Sequence, residues 1–449
     1  MKNRSNKSPA KIKARKHLSA DALFDTIYNS FKKVPEHRVG DIQISLQDAL
    51  MSGFAMFSLK DPSLLAFDER RKGNHNLNSI YGIDNIPSDT QMRAILDDVL
   101  PDNIRPVYKD IFRQVQRGKA LEQMMFMEGY YLVSLDGTGY FSSQKLNSKY
   151  CSEKISKKSG EKTYYQQLLG ASIVHPNFKE VIPLAPEMII KQDGNAKNDC
   201  ERNAAKRFLE KLRKDHPQLP IIITEDALSP NAPHINELKK HNCRFILGVK
   251  PGDHEFLFEH VNNAMQEGKT IKFELIDEKN PQITHCFHFI NNVPLNKANQ
   301  DLLVNFLEYQ EISSEGIKHF SWITDFTITK QNAYQIMRGG RARWKIENET
   351  FNTLKNQGYN LGHNYGLGKN HLSAIFTMLM MLALLVDQVQ QLCCNLFKSV
   401  WEKLGSKRSL WEKIRSIFYH FQFESMEMLY KALFFGIKFQ PPEILSETS

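Results

Sequence analysis

Two short apolar runs set the tightest limit on the fold. Tyr130-Tyr131-Leu132-Val133-Ser134-Leu135-Asp136 and Ile221-Ile222-Ile223-Thr224-Glu225-Asp226 are rich in β-branched and aromatic residues, and each ends on an acid. Side chains of that kind pack on a pleated surface, so both runs read as strands, the second buried on both faces. A strand covered on both faces needs helices above and below it. The neighbouring sequence supplies them. Gln167–Val174, Val181–Leu184 and Phe245–Val249 are further strand-like runs, and two helical segments separate the later strands. The first, Cys200–Lys214, turns Ala204, Ala205, Phe208, Leu209 and Leu212 inward; the second is Pro233–His241. The order β-β-β-α-β-α-β predicts an α/β fold, a mixed sheet with helices on both faces.

Other periods surround this pattern. Residues 18–125 read as helical, with apolar residues at helix spacing in Ala22–Tyr28 and Leu46–Met51. Within them Ser88 and Gln91 have the spacing of a capping box, opening a short helix that could enter a DNA groove or simply pack. Residues 252–330 break into strand-like pieces at Ile271–Ile276, Thr284–Phe289 and Trp322–Ile328, the mark of a β-rich insertion. Tyr334–Gln357 then reads as one strong helix with Gly358 as its C-cap, and about 370–440 is helical again.

Composition narrows the partners. The 449 residues are 41% apolar, ordinary for a soluble globular chain of about three domains. A net charge of +9 fits a polyanionic partner. Within residues 1–20, Lys2, Arg4, Lys7, Lys11, Lys13, Arg15 and Lys16 face no acid, so this arm is either a phosphate-binding tail or a solvated one. The six cysteines lack zinc-ligand or disulfide spacing, which predicts a reduced, cytoplasmic setting. Asp21 and Asp25 interrupt the only apolar stretch that could serve a signal peptide, and Ala374–Val386 is too short for a membrane span. No membrane partner is expected.

Three acids stand out. Asp136 and Asp226 sit at the carboxyl ends of buried strands, the edge where open α/β sheets bind ligands. Glu225 competes with Asp226, but the two point to opposite faces of a strand. The third acid comes from helix geometry. At about 100° per residue, Leu354 lies roughly 20° from Glu347, Phe351 about 40° and Trp344 about 60°, so Glu347 belongs to the inward stripe. Glu349 lies about 200° round, facing out, where Lys345 can pair with it. A core-facing acid needs a cation, either Arg343 at i−4 or a metal shared with the aspartates. Magnesium suits three carboxylates, since it takes oxygen ligands and keeps room for substrate phosphate oxygens. Two such ions about 3.5–4 Å apart drive phosphoryl transfer without a Ser or Cys nucleophile.

The element order and the Asp-strand, Asp-strand, Glu-helix triad resemble the ribonuclease H-like catalytic domain of DDE transposases. The β-rich insertion and Arg343-Trp344-Lys345-Ile346-Glu347 resemble bacterial insertion-sequence transposases with the Tyr-Arg-Glu-Lys signature. In that signature Arg343 and Glu347 match; the Tyr position falls on Gly340 and the Lys position on Leu354, with Lys355 one step later. Tyr334 lies too far upstream to take the Tyr role. The resemblance covers roughly 130–370 and includes Asp136-Gly137-Thr138 and Thr224-Glu225-Asp226-Ala227-Leu228. It implies catalysis and metal binding by Asp136, Asp226 and Glu347, with two Mg²⁺ ions (or Mn²⁺) as cofactor. It also implies DNA contacts from Arg343 and Lys355. In relatives the insertion can supply a Trp that stacks on a displaced base; Trp322 is the candidate, though it also fits a sheet core. Lys250, after the fifth strand, either touches phosphate or is solvated. Asp193, Asp199 and Asp325 read as caps, turns or surface acids.

Charge, period and the resemblance together divide the chain into a basic arm (1–20), a helical DNA-binding region (21–125), a catalytic core (126–251 and 333–370), the insertion (252–332) and a helical C-terminal region (371–449). It implies binding of terminal inverted repeats, cut-and-paste transfer of 3′ ends into target DNA, a homodimer on DNA, and residence at the bacterial nucleoid when DNA is bound. A structure-selective nuclease and a catalytically dead DNA-binding descendant are the competing readings.

Overall fold

A computed structural model describes residues 16–73, 75–191, 199–226 and 230–436. The basic arm up to Arg15, and Asp193, lie outside the described residues. Six helices open the chain: α1 (Ala20–Phe31), α2 (Leu46–Ser58), α3 (Leu64–Arg71), α4 (His75–Ser79), α5 (Asp89–Asp97) and α6 (Pro101–Arg117). Serine side chains cap several of them, and at α5 both halves of the Ser88–Gln91 capping box form. Helix α5 buries Met92, Ile95 and Leu96 while Thr90, Arg93 and Ala94 stay exposed.

The strands and helices that follow are β1 (Tyr131–Ser143), β2 (Ser152–Ile155), β3 (Lys162–Val174), β4 (Ile182–Pro183), β5 (Glu187–Ile189), α7 (Glu201–Asp215), β6 (Ile221–Glu225), α8 (Ala232–Lys240) and β7 (Arg244–Gly248). Then come α9 (Glu255–Gln266), β8 (Ile271–Ile276), β9 (Thr284–Asn296), β10 (Asn299–Ser313), β11 (Gly316–Thr324) and α10 (Ala333–Arg341). The last helices are α11 (Asn352–Asn356), α12 (Leu372–Cys393), α13 (Asn395–Leu404), α14 (Lys407–His420) and α15 (Met426–Phe435).

One sheet of 11 strands runs through the molecule in the order β2-β3-β1-β6-β7-β11-β10-β9-β8, with β4 and β5 also paired to β3. Strand β1 is antiparallel to β3 and parallel to β6, and β6 is parallel to β7. This is a mixed sheet flanked by helices, as the element order predicts.

Four expectations need correction. Strand β1 does not end at Asp136 but runs on to Ser143, because β3 keeps pairing with it after its parallel partner β6 has ended. The insertion contains a long strand, β10, and a helix, α9, that the sequence reading passes over; β10 begins Asn-Gln-Asp and ends Glu-Ile-Ser, polar residues that hide its period. The insertion also extends the core sheet, since β11 pairs with β7 from Trp322↔Gly248 to Thr324↔Ile246. Finally, Tyr334–Gln357 is not one regular helix. Between α10 and α11 the backbone tightens to a 3₁₀ turn at Ala342–Trp344 and widens to a π-helical turn at Ile346–Phe351.

Helix α12 is the centre of the helical part. Among the described residues it is the one helix long and apolar enough to cross a membrane, and protein buries all of it. It packs on α1, α2, α5, α6, α11 and α13 and on β4, so the N-terminal helices, the sheet and the C-terminal helices share one core. A buried ion pair pins this junction. Lys60, left-handed at φ 57° just after α2, donates to Asp387 of α12 and to the Ser58 carbonyl at 2.9 Å. Its ammonium lies 3.8 Å from the Trp411 ring centre of α14, and the Tyr359 hydroxyl also donates to Asp387.

Removing one partner of such a pair strands the other charge. Lys60→Met is expected to destabilise the protein by about 3–5 kcal/mol in urea denaturation, and adding Asp387→Leu to recover most of the loss. A loss below about 1 kcal/mol would show that the pair does not hold the junction.

Candidate active site

Register decides which acid goes where. The last parallel pair between β1 and β6 is Ser134↔Thr224, so Asp136, still within β1, and Asp226, just past the end of β6, stand two residues further along their chains. Ser134 shares a face with Asp136 and donates its hydroxyl to the Arg343 carbonyl at 2.9 Å, so that face looks toward the Glu347 segment. Glu225 is buried and 2.6 Å from His234 Nε2 of α8. Burial opposes a charge on His234, but the Glu225 carboxylate outweighs it and raises the imidazole pKa. Glu225 is therefore held by His234, although both also line the cleft that Asp226 enters.

Arg343 joins two of the three acids. Its Nη1 donates to Glu347 Oε1 at 2.8 Å and lies 3.6 Å from Asp136 Oδ2, while its guanidinium stacks 4.3 Å from the Trp344 ring centre. The Arg343–Glu347 ion pair offered as an alternative by the sequence is thus present, and it includes Asp136. Burial pushes the Asp136 pKa up from the usual carboxylate range; Arg343 pulls it down and Glu347 raises it, leaving it at about 7. Two facing carboxylates and a single shared cation make a site that favours more positive charge. As the side chains stand, no three acid, imidazole or thiol groups among the described residues converge closely enough to hold an ion. The donor set nevertheless fits a hard divalent cation, being all oxygen and short of countercharge.

Asp136 and Asp226 line a cleft of about 530 Å³ with Tyr165, Gln167, Glu201, Arg202, Glu225 and His234. Glu201 was not singled out from the sequence, where an acid in the first turn of a helix reads as a partner for the helix dipole. Here it lies over Gly137, where a Cβ would come 2.0 Å from its Oε1. Burial raises its pKa, and Asp226 and then Glu225 raise it further.

The irregular helix explains the departures from the signature. A π turn takes one residue more than an α turn, so Lys355 falls about where residue 354 would stand in an unbroken α-helix. Leu354 is fully buried, and Lys355 is exposed. The same irregularity overturns the placement of Trp344 on the inward stripe: its side chain is 50% exposed, beside Arg343. Lys345 donates to the Phe178 carbonyl at 2.6 Å rather than pairing with Glu349. Trp322 is 5% exposed, stacked on Phe320 at 5.8 Å, and so is a core residue rather than an available base platform. Its indole fills the space above Gly340, where a Cβ would sit 2.2 Å from Nε1, and no tyrosine could stand at that position. Lys250 is exposed in the turn after β7, where its carbonyl accepts from the His254 amide. Asp199 pairs with Arg207, and Asp325 with Arg244.

Residues 130–385, more than half the chain, match the family described as "Transposase DDE domain". The chain belongs to the DDE transposases. No curated protein matches its sequence. Among solved structures, it is similar to a piggyBac transposase in a cryo-EM synaptic complex with hairpin DNA, at 12% identity and a TM-score of 0.43, over 97% of this chain and 88% of that one.

The raised Asp136 pKa has a consequence for this transposase without metal. A carboxyl whose folded pKa lies above its unfolded one costs stability as pH rises from about 4 to about 7, and the full cost is present above that. Asp136→Asn is therefore expected to raise the melting temperature at pH 8, by the equivalent of roughly 1–3 kcal/mol, and to leave it nearly unchanged at pH 4. Equal melting temperatures at pH 8 would show that the carboxylate is not strained.

Proposed function

We propose that this transposase cuts the terminal inverted repeats of its own mobile element and joins the freed 3′ ends to target DNA. The observation that carries the reading is the acid cluster: Asp136 and Glu347 face each other across one arginine, with Asp226 just past the end of the adjacent strand β6. Asp136, Asp226 and Glu347 would hold two Mg²⁺ ions, with Mn²⁺ able to substitute. When bound, such ions activate the attacking water or 3′-hydroxyl and stabilise the leaving oxygen. The protein's own groups do the positioning. Arg343 is within reach of a phosphate entering beside Asp136, and Lys355 offers a second cation on the same segment. Exposed Trp344 takes over from buried Trp322 as the surface on which a displaced base could stack.

The N-terminal arm and residues 21–125 would read the element ends, with the exposed face of α5 as one contact surface. Bringing two ends together calls for a homodimer on DNA. We place the protein in the bacterial cytoplasm, at the nucleoid when bound.

A duplex carrying the inverted repeats that flank the gene, incubated with a target plasmid and Mg²⁺, tests the reading. Cleavage and 3′-end joining are expected, both abolished by chelation. Asp226→Ala and Glu347→Gln should each lower the cleavage rate by about 10³-fold or more while DNA affinity stays within a few-fold. Cleavage without joining would favour a nuclease. Binding without cleavage would favour an inactive descendant, and activity surviving Asp136→Ala would overturn the site.

A further inference from the structure

We propose that the β2–β3 hairpin is a phosphate clamp for the double-stranded DNA that leaves the active site. The inference rests on the reading of the chain as an enzyme acting on DNA. Tyr165 and Gln167 of β3 line the acid cleft, and traced backward from Tyr165 the same strand becomes the inner strand of this hairpin, with β2 outermost. Strand β2 pairs with it from Ser152↔Tyr165 to Ile155↔Lys162, while β1 closes its other side as far as Ser143↔Tyr164. The hairpin is thus an outward continuation of the cleft wall, anchored by two neighbouring strands.

Its charge is one-sided. Between residues 145 and 162 there are six lysines, Lys145, Lys149, Lys154, Lys157, Lys158 and Lys162, against Glu153 and Glu161. All six are exposed. Glu153 is occupied, with Lys162 at 2.7 Å and Lys191 at 3.2 Å. Among the described residues, Lys154, Lys157 and Lys158 make no ion pair. The tip is also ordered. The Ser156 amide donates to the Glu161 carbonyl at 2.9 Å, the Ser156 hydroxyl accepts from the Lys158 and Ser159 amides, and left-handed Gly160 closes the turn at φ 70°. Three lysines are therefore held out on a rigid support, so fewer degrees of freedom are lost when they meet a charged partner.

Asp136 is opposite Gly170, and the eight steps along β3 from there to Lys162, at the base of the tip that carries Lys157 and Lys158, span about 26 Å at roughly 3.3 Å each. At about 3.4 Å per base pair, that reach equals roughly seven or eight base pairs of duplex.

Fluorescence anisotropy with a random-sequence duplex, longer than this span and titrated at several salt concentrations, reads the clamp directly. The triple substitution Lys154→Ala, Lys157→Ala, Lys158→Ala is expected to weaken binding roughly 10- to 100-fold. It should also lower the slope of log affinity against log salt by about 2–3. The same three positions changed to Arg should bind like the original protein. All three side chains are exposed, and an unchanged melting temperature confirms that the variants fold. An unchanged slope in the alanine variant, with the original protein still binding the duplex, overturns the clamp and leaves the transposase reading standing. Failure of the original protein to bind duplex DNA at any salt overturns both.

Discussion

Arg343 carries the charge balance of two of the three acids, Asp136 and Glu347. Asp136 and Glu347 come from a strand and from an irregular helix far apart in sequence, and without a cation between them they would repel. The guanidinium meets both, at 3.6 and 2.8 Å, and stacks on Trp344. Its own backbone is held by the Ser134 hydroxyl, two residues before Asp136 on the same face of β1. The arginine is thus fixed by the strand whose acid it neutralises. One cation for two carboxylates is still too little, which is why burial leaves the Asp136 pKa near 7. A site in that condition favours either a bound proton or a metal that displaces it.

The rest of the architecture keeps the acids in register. The parallel pairing of β1 with β6 brings Asp226 beside Asp136, and Glu225 next to it is held by His234 at the wall of the same cleft. The insertion strengthens the same sheet instead of standing apart from it, because β11 adds directly to β7. That addition has a cost in availability. Trp322 becomes part of the sheet core, and Gly340 must stay small to admit its indole. Behind the sheet, α12 and the Lys60–Asp387 pair tie the N-terminal and C-terminal helices into one core. Forces on the helical part can therefore reach the sheet through packed side chains rather than through a linker.

Much of this was legible in the chain alone. The buried strands around Asp136 and Asp226, helix α7 with its five inward residues, the capping box at α5 and the burial of α12 all follow from local period and cap chemistry. Those signals survive because a strand or helix buried on a fixed face must repeat its apolar residues at a fixed spacing. Helix spacing set Glu347 inward and Glu349 outward, but the regular helix it assumed is not there and both residues are half-buried.

What tertiary structure alone decided is where that regularity fails and what comes near in space. Trp344 is exposed in the 3₁₀ turn Ala342–Trp344, the π turn at Ile346–Phe351 shifts Lys355 by about one position, and no local propensity marks such turns. Glu201 faces the acids only because α7 docks over Gly137, a contact between segments more than sixty residues apart. Trp322 is buried only because β11 found β7. Periodicity in a sequence records which face of an element is covered. It does not record which element does the covering, and the acid cluster of this transposase is built from those pairings.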